Sequence, residues 1–188
     1  IPTERLAHKD VSELTFPCVI KPYDGRSSQG LNFIANQKEF DYFFENNQID
    51  NYIIQPIIAG KIVTVDILRK KNEFVATARI ELLRTINGAG TSVKVFKNEK
   101  LLKICEEISE RLNIFGCVNF EFIQLNENEY RFLECNPRFS GGVAFSCLSG
   151  YDYVNNHLRC FTDEVLDGFS QKNMTIARKY NEFITNVE

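Results

Sequence analysis

Pairs of β-patterned runs set among amphipathic helices, with no regular strand–helix–strand alternation, predict an α+β fold for this chain of 188 residues. Two hairpin signals carry the β part. Lys61 to Arg69 and Glu73 to Glu81 flank Lys70-Lys71-Asn72, and the apolar runs around Phe120 and Leu133 flank Asn126-Glu127-Asn128-Glu129. Two stripes carry the α part. Glu99 to Leu112 has apolar residues at 101, 104, 105, 108 and 112, and Tyr153 to Leu166 repeats the period through Val154, His157, Leu158, Phe161 and Val165.

The remaining elements follow in order. Phe16 to Pro22 reads as a short buried strand entered through Pro17 and closed by Pro22. A turn-rich loop, Tyr23 to Gly30, leads to a second strand, Leu31 to Ala35, and Lys38 to Asn46 is helical with Phe40, Phe43 and Phe44 on one side. Tyr52 to Ile58 is an apolar strand broken at Pro56. Asn87 to Ser92 is a flexible loop, and Thr175 to Ile184 closes the chain as an edge strand.

Composition narrows the function classes. With 44% hydrophobic and 25% charged residues the chain can bury a real core. A net charge of −3 and the lack of a basic run exclude a nucleic-acid footprint, and 16 Phe without Trp read as core packing. No apolar stretch is long enough to span a membrane and no signal peptide opens the chain, so neither membrane nor export is expected. The six cysteines show no C-x-x-C pairing and sit inside apolar patterns, as reduced residues of a cytoplasmic protein do. The chain opens Ile1-Pro2-Thr3 and its only methionine is Met174, which suggests a part of a longer protein.

The densest chemistry lies in the second hairpin. If Asn126 faces Glu129 across a Glu127-Asn128 turn, Glu121 lies opposite Glu134 and Asn119 opposite Asn136, all four on one face. Phe120, Phe122, Leu133 and Cys135 then share the core face. Carboxylates placed opposite each other repel, so a cation or a proton is expected between them. Two acids, an amide oxygen and the following Arg138 suit Mg²⁺ carrying phosphate better than zinc. The loop after Lys21 offers the complementary half. Gly25 and Gly30 free the backbone to fold over an anion, Ser27 and Ser28 add hydroxyls, and Lys21 adds a point charge. It is no P-loop, since the lysine precedes the glycines. By itself it also reads as a solvated turn.

Together these segments resemble the ATP-grasp superfamily. Lys-Pro-x-x-x-x-Ser-Ser-x-Gly at 21 to 30 is similar to the phosphate loop of its D-alanine–D-alanine-ligase-like branch. Gly-x-x-Asn-x-Glu at 116 to 121 and Glu-x-Asn-Pro-Arg at 134 to 138 resemble its carbamoyl-phosphate-synthase-like branch, and Tyr52 to Asp66 resembles the hinge and following strand. The resemblance implies a small lobe at 1–58 and a large lobe at 59–188 closing on ATP. It implies that Lys21, Ser27, Ser28 and Gly30 grip the phosphates, and that Gln55 and the Ile57 backbone flank adenine. Glu121, Glu134 and Asn136 would hold Mg²⁺, or Mn²⁺ in its place. Arg138 would stabilise the transferring phosphate, with Arg79 as a second candidate for that task. Two positions depart from the pattern: Gln55 stands where a hinge Glu is common, and Ile62 where relatives carry a ribose-binding Glu.

The implied reaction is ATP-dependent ligation of a small-molecule carboxylate to an amine or thiol through an acyl phosphate, releasing ADP and phosphate. The resemblance implies the family's N-terminal domain upstream and admits a homodimer. The alternatives are a non-catalytic nucleotide-binding or regulatory module, and a metal-dependent domain that binds no nucleotide. Asp66 and Glu81 are read either as facing the cleft or as surface charges on strands, His8 as a terminal surface residue, and His157 as a packed core histidine.

Overall fold

The structure, a computed structural model, describes residues 1–6, 15–25, 29–85 and 90–179. Ser27, Ser28, His8, residues 87–89 of the expected 87–92 loop and residues 180–184 of the expected closing strand lie outside them. Among the described residues the chain builds two antiparallel sheets. The first takes the order β1-β4-β2-β3 from β1 (Glu4–Arg5), β2 (Cys18–Pro22), β3 (Asn32–Ile34) and β4 (Tyr52–Pro56). Helix α1 (Gln37–Asn46) closes this sheet, burying Phe40 and Phe43 against Cys18, Ile20, Ile34 and Ile54. Its start is fixed by exchange: the Asn36 side chain accepts from the Glu39 amide, and the Glu39 carboxylate accepts from the Ala35 amide at 2.8 Å.

The chain then crosses to a six-stranded sheet of order β10-β7-β6-β5-β8-β9. Its strands are β5 (Lys61–Lys70), β6 (Glu73–Arg84), β7 (Gly90–Phe96), β8 (Gly116–Asn126), β9 (Glu129–Asn136) and β10 (Met174–Ala177). One face is sealed by α2 (Glu99–Arg111), whose Leu101 and Cys105 pack on Val63, Val65, Phe120 and Phe122. The opposite face is covered at one end by α3 (Val143–Leu148) and α4 (Tyr153–Cys160). The rest of that face looks across a cleft at the first sheet. No helix among the described residues is long and apolar enough to cross a membrane.

Several expectations change. Residues 90–92 begin strand β7 instead of belonging to a loop, and α3 is an unforeseen helix. Helix α4 ends at Cys160, because the buried Lys70 ammonium holds the carbonyls of Arg159, Thr162 and Glu164 at 2.7, 2.9 and 2.6 Å. Its orientation is the reverse of its apolar stripe. Val154, Leu158, Phe161 and Val165 are exposed, as is Leu112 beyond α2, while Tyr153, Asn156 and Cys160 face inward. The inward polar groups have partners: the Tyr153 hydroxyl donates to Thr77, and Asn156 bonds Asp167. His157 packs between Phe139 and Phe161, and its Nδ1 accepts the Cys117 amide at 2.9 Å. All six cysteines are free.

Candidate active site

The hairpin of β8 and β9 has the expected register where it matters: Asn119 faces Asn136 and Glu121 faces Glu134. The path between is less simple. The ladder shifts between Glu121 and Phe122 and again between Gln124 and Asn126, and the two one-residue shifts cancel. The first shift moves Leu133 off the core. Phe132 instead packs edge-on against Phe120 and Phe122, and Leu133 lines the cleft.

Because β5 is paired with both β8 and β6, the polar row continues across the sheet. Glu134, Glu121, Thr64, Arg79 and Val95 stand opposite one another in turn on β9, β8, β5, β6 and β7. The row from Glu134 to Arg79 floors a cleft of about 920 Å³ whose other wall comes from the first sheet, including Lys21, Val19 and Gln55, while Val95 is buried against Phe145. Lys21 reaches over the cleft from β2, and its Nζ lies 3.1 Å from Glu134 Oε2. The other Glu134 oxygen accepts from Asn136 Nδ2 at 3.1 Å, and Asn136 Oδ1 accepts from Arg138 Nη2 at 3.2 Å. Burial first, and the Glu134 charge second, raise the carboxyl pKa of Glu121 above its ordinary value. Gly30 has φ +72°, and a Cβ there would lie 2.9 Å from the Pro22 ring, so the turn below Lys21 needs glycine.

Arg79 belongs to the floor but is committed. Only 1% exposed, its guanidinium pairs with Asp66 on β5 and donates to Ser146 at 2.9 Å and to Ser140 at 2.7 Å. Asp66 is therefore no surface charge, and neither is Glu81, which accepts from Thr64 at 3.2 Å and lies 3.7 Å from Arg79 Nε. Among the described residues Asp66 Oδ1, Arg79 Nε and Glu81 Oε2 have no hydrogen-bond partner. The signal was present in the sequence: Thr64 and Asp66 alternate with valine and isoleucine in a strand flanked by two others, where no edge is left to solvate them.

At the other end of the cleft Gln55 is buried on β4, bonds Thr3 at 2.8 Å and lines the wall. The Ile57 amide is taken by the Pro17 carbonyl at 3.3 Å. Ile62 faces Ile123 and both line the cleft, so the floor here is apolar. The donor set fits Mg²⁺. Among the described residues no three His, Cys, Asp or Glu side chains gather as a metal-holding group. Two facing carboxylates and an amide leave the rest of an octahedral shell to water and phosphate oxygens, as Mg²⁺ prefers, and the Lys21 ammonium already stands as a cation against Glu134.

The profile of a family described as ATP-grasp in the biosynthetic pathway with Ter operon matches residues 48–182. The chain is 24% identical over 180 residues to the carbamoyl phosphate synthase large chain of Agathobacter rectalis, covering 88% of this chain and 17% of that protein. It is 27% identical over 70 residues to the D-alanine–D-alanine ligase of Petrotoga mobilis, covering 36% of this chain and 24% of the ligase. The fold is similar to N5-carboxyaminoimidazole synthetase from Staphylococcus aureus complexed with ADP, at a TM-score of 0.65, 18% identity, 80% of this chain and 42% of that one. It is likewise similar to the biotin carboxylase–β-γ-ATP complex from Campylobacter jejuni, at a TM-score of 0.68, 14% identity, 82% of this chain and 39% of that one. With two antiparallel sheets enclosing a cleft, an acidic pair on its floor, and a family profile matched over well more than half its length, the chain belongs to the ATP-grasp family.

Proposed function

We propose that the chain is the Mg²⁺-dependent, ATP-binding domain of a ligase that joins a small-molecule carboxylate to an amine or thiol through an acyl phosphate. The observation that carries this reading is the facing Glu121 and Glu134 with the Lys21 ammonium on Glu134, inside a cleft large enough for a nucleotide. The two lobes, 1–58 and 59–188, close on ATP at the Gln55 to Ile58 hinge. Gln55 and the Ile57 carbonyl flank the base, and Lys21 and Gly30 lie on the phosphates with Ser27 and Ser28 of the same loop. Glu121, Glu134 and Asn136 would hold Mg²⁺, which would supply the positive charge that offsets the phosphates. Arg138 at the rim faces the transferring phosphate. Arg79 acts from the floor, where its bonds to Ser140 and Ser146 fix the loop that follows Arg138 and the helix α3 after it.

The chain's task is positioning and charge neutralisation, the main contributions available to phosphoryl transfer. The carbamoyl phosphate synthase and ligase relatives support the acyl-phosphate route. Free, mostly buried cysteines suit a reducing cytoplasm. Calorimetric titration of the chain with ATP, with and without Mg²⁺, is the test. Binding that needs Mg²⁺ is expected; heat with neither would remove the assignment. A purely regulatory nucleotide module is favoured only by Ile62 and Gln55 and is separated by ADP release stimulated by carboxylate and amine.

A further inference from the structure

The metal ligands and the phosphate-gripping cations of this cleft are bonded to each other. Glu134 Oε2 is held by Lys21 at 3.1 Å, and the oxygen of Asn136 is held by Arg138 at 3.2 Å. The remaining Glu134 oxygen accepts from the Asn136 amide at 3.1 Å. Two of the three residues assigned to the metal are therefore occupied by the two cations assigned to the nucleotide. The Lys21 contact also bridges the two sheets across 113 residues of chain, and the Lys21 side chain is only 14% exposed.

Consider what each ligand meets alone. A divalent cation reaching Glu134 must displace the Lys21 ammonium and leaves it inside the cleft with no counter-charge. Metal-free triphosphate drawing Lys21 away leaves Glu134 unneutralised beside Glu121, whose own carboxyl is half-buried directly opposite. Arriving together, metal and phosphate exchange every partner: the carboxylates go to the metal and the ammonium and guanidinium to the phosphate. No charge is left unpaired. A partly buried ion pair broken on one side only is costly for this reason, and coupling of this kind is reciprocal between the two ligands.

We propose that the Lys21–Glu134 pair, backed by Arg138–Asn136, is a specificity determinant that makes the cleft take metal and nucleotide as one unit and disfavour each alone. This rests on the metal and phosphate roles assigned under the proposed function.

The test uses Mn²⁺ alone, read by loss of its free-ion paramagnetic resonance signal, and Mg·ATP, read by calorimetry. Lys21→Met should bind Mn²⁺ alone about threefold to tenfold more tightly than wild type, because the competing ammonium is gone. The same variant should bind Mg·ATP about tenfold more weakly. This opposition of sign is the signature. In a Glu134→Gln background the gain in Mn²⁺ affinity from Lys21→Met should vanish, since no pair remains to break. Lys21→Gln removes the same charge with a polar side chain, and thermal melts of each variant confirm that the fold is kept. Unchanged or weaker Mn²⁺ binding by both Lys21 variants would overturn the proposal. So would a gain that persists in the Glu134→Gln background, which would indicate only a general charge effect. If wild type binds Mg·ATP while either result appears, the pairing idea alone fails; if wild type binds no Mg·ATP, the functional reading fails with it.

Discussion

Two acid–base arrangements sit on one face of the six-stranded sheet, and they are solved in opposite ways. Asp66 and Arg79 lie on neighbouring strands, are both at most 1% exposed, and are completed from within by Ser140 and Ser146. Glu121 and Glu134, also on neighbouring strands of that face, are like charges, and their neutralising cation comes from the other sheet. An opposite-charge pair inside a sheet is a fixture. A like-charge pair is an unfinished site, because its stability depends on something brought to it. Burial and the neighbouring Glu134 charge both raise the Glu121 carboxyl, which marks that dependence on the same side of the comparison.

The sharpest way to break this contrast is to remove one cation from each arrangement. Arg79→Met strands a fully buried Asp66, and the loss should be about 3–5 kcal/mol of folding stability in urea denaturation. Lys21→Met should cost less, about 1 kcal/mol, since the Glu134 carboxylate it leaves is 41% exposed and water can take the place of the ammonium. Similar losses for the two variants would show that the arrangements are not different in kind. For ligand binding the order reverses. Lys21→Ala should weaken Mg·ATP about tenfold to a hundredfold, the loss of one charge-assisted contact of roughly 1.5–3 kcal/mol. Equal calorimetric affinities would take Lys21 out of the phosphate site.

How legible each arrangement is in the sequence follows from what built it. Glu121 opposite Glu134 is readable because a short turn at Glu127-Asn128 pins the register, and the two ladder shifts on the way happen to cancel. The side exchange between Leu133 and Phe132 was not readable, since a bulge leaves no mark in an apolar run. Asp66 and Arg79 were under-read because Ser140 and Ser146, which complete them, lie 61 and 67 residues from Arg79. Helix α4 fails for the same reason. Tyr153 and Asn156 look like a polar face until Thr77 and Asp167 are seen to satisfy them. A helix that buries partnered polar groups inverts the amphipathic signal. Ser27 and Ser28, which the sequence places in the anion-binding loop after Lys21, lie outside the described residues.

His157 supplies a smaller test, at the covered end of the same face. Its Nδ1 accepts the Cys117 amide, which only the unprotonated ring can do, and burial lowers its pKa from the ordinary 6.5. The folded state therefore binds fewer protons than the unfolded chain once the pH drops below that value. Stability from this contact is present above pH 6.5 and is lost as the pH falls below it toward the depressed folded value. His157→Gln has no such titration, so the urea midpoints of wild type and variant should converge on going from pH 7 to pH 5. A gap that widens on acidification would mean that the ring is stabilised as a cation, against the amide contact.

The smallest expected effect lies at the other end of the floor, where the comparison predicts almost nothing. The resemblance places a ribose-binding Glu at the position of Ile62, and the side chain opposite it across the ladder is Ile123. Both line the cleft, with Leu133 displaced to the same wall by the bulge. An apolar floor has no acceptor to be left unpaired when a hydroxyl is removed, and it is such unpaired buried groups that give polar sites their discrimination. ATP and 2′-deoxy-ATP should therefore bind within about threefold of each other in Mg²⁺, a difference of under roughly 0.7 kcal/mol. Ile62→Glu should restore preference for the ribonucleotide without strengthening the metal site. If wild type already prefers ATP by more than about thirtyfold, some other side chain reads the sugar. The nucleotide would then lie across this floor differently from the placement that Lys21 and Gln55 imply.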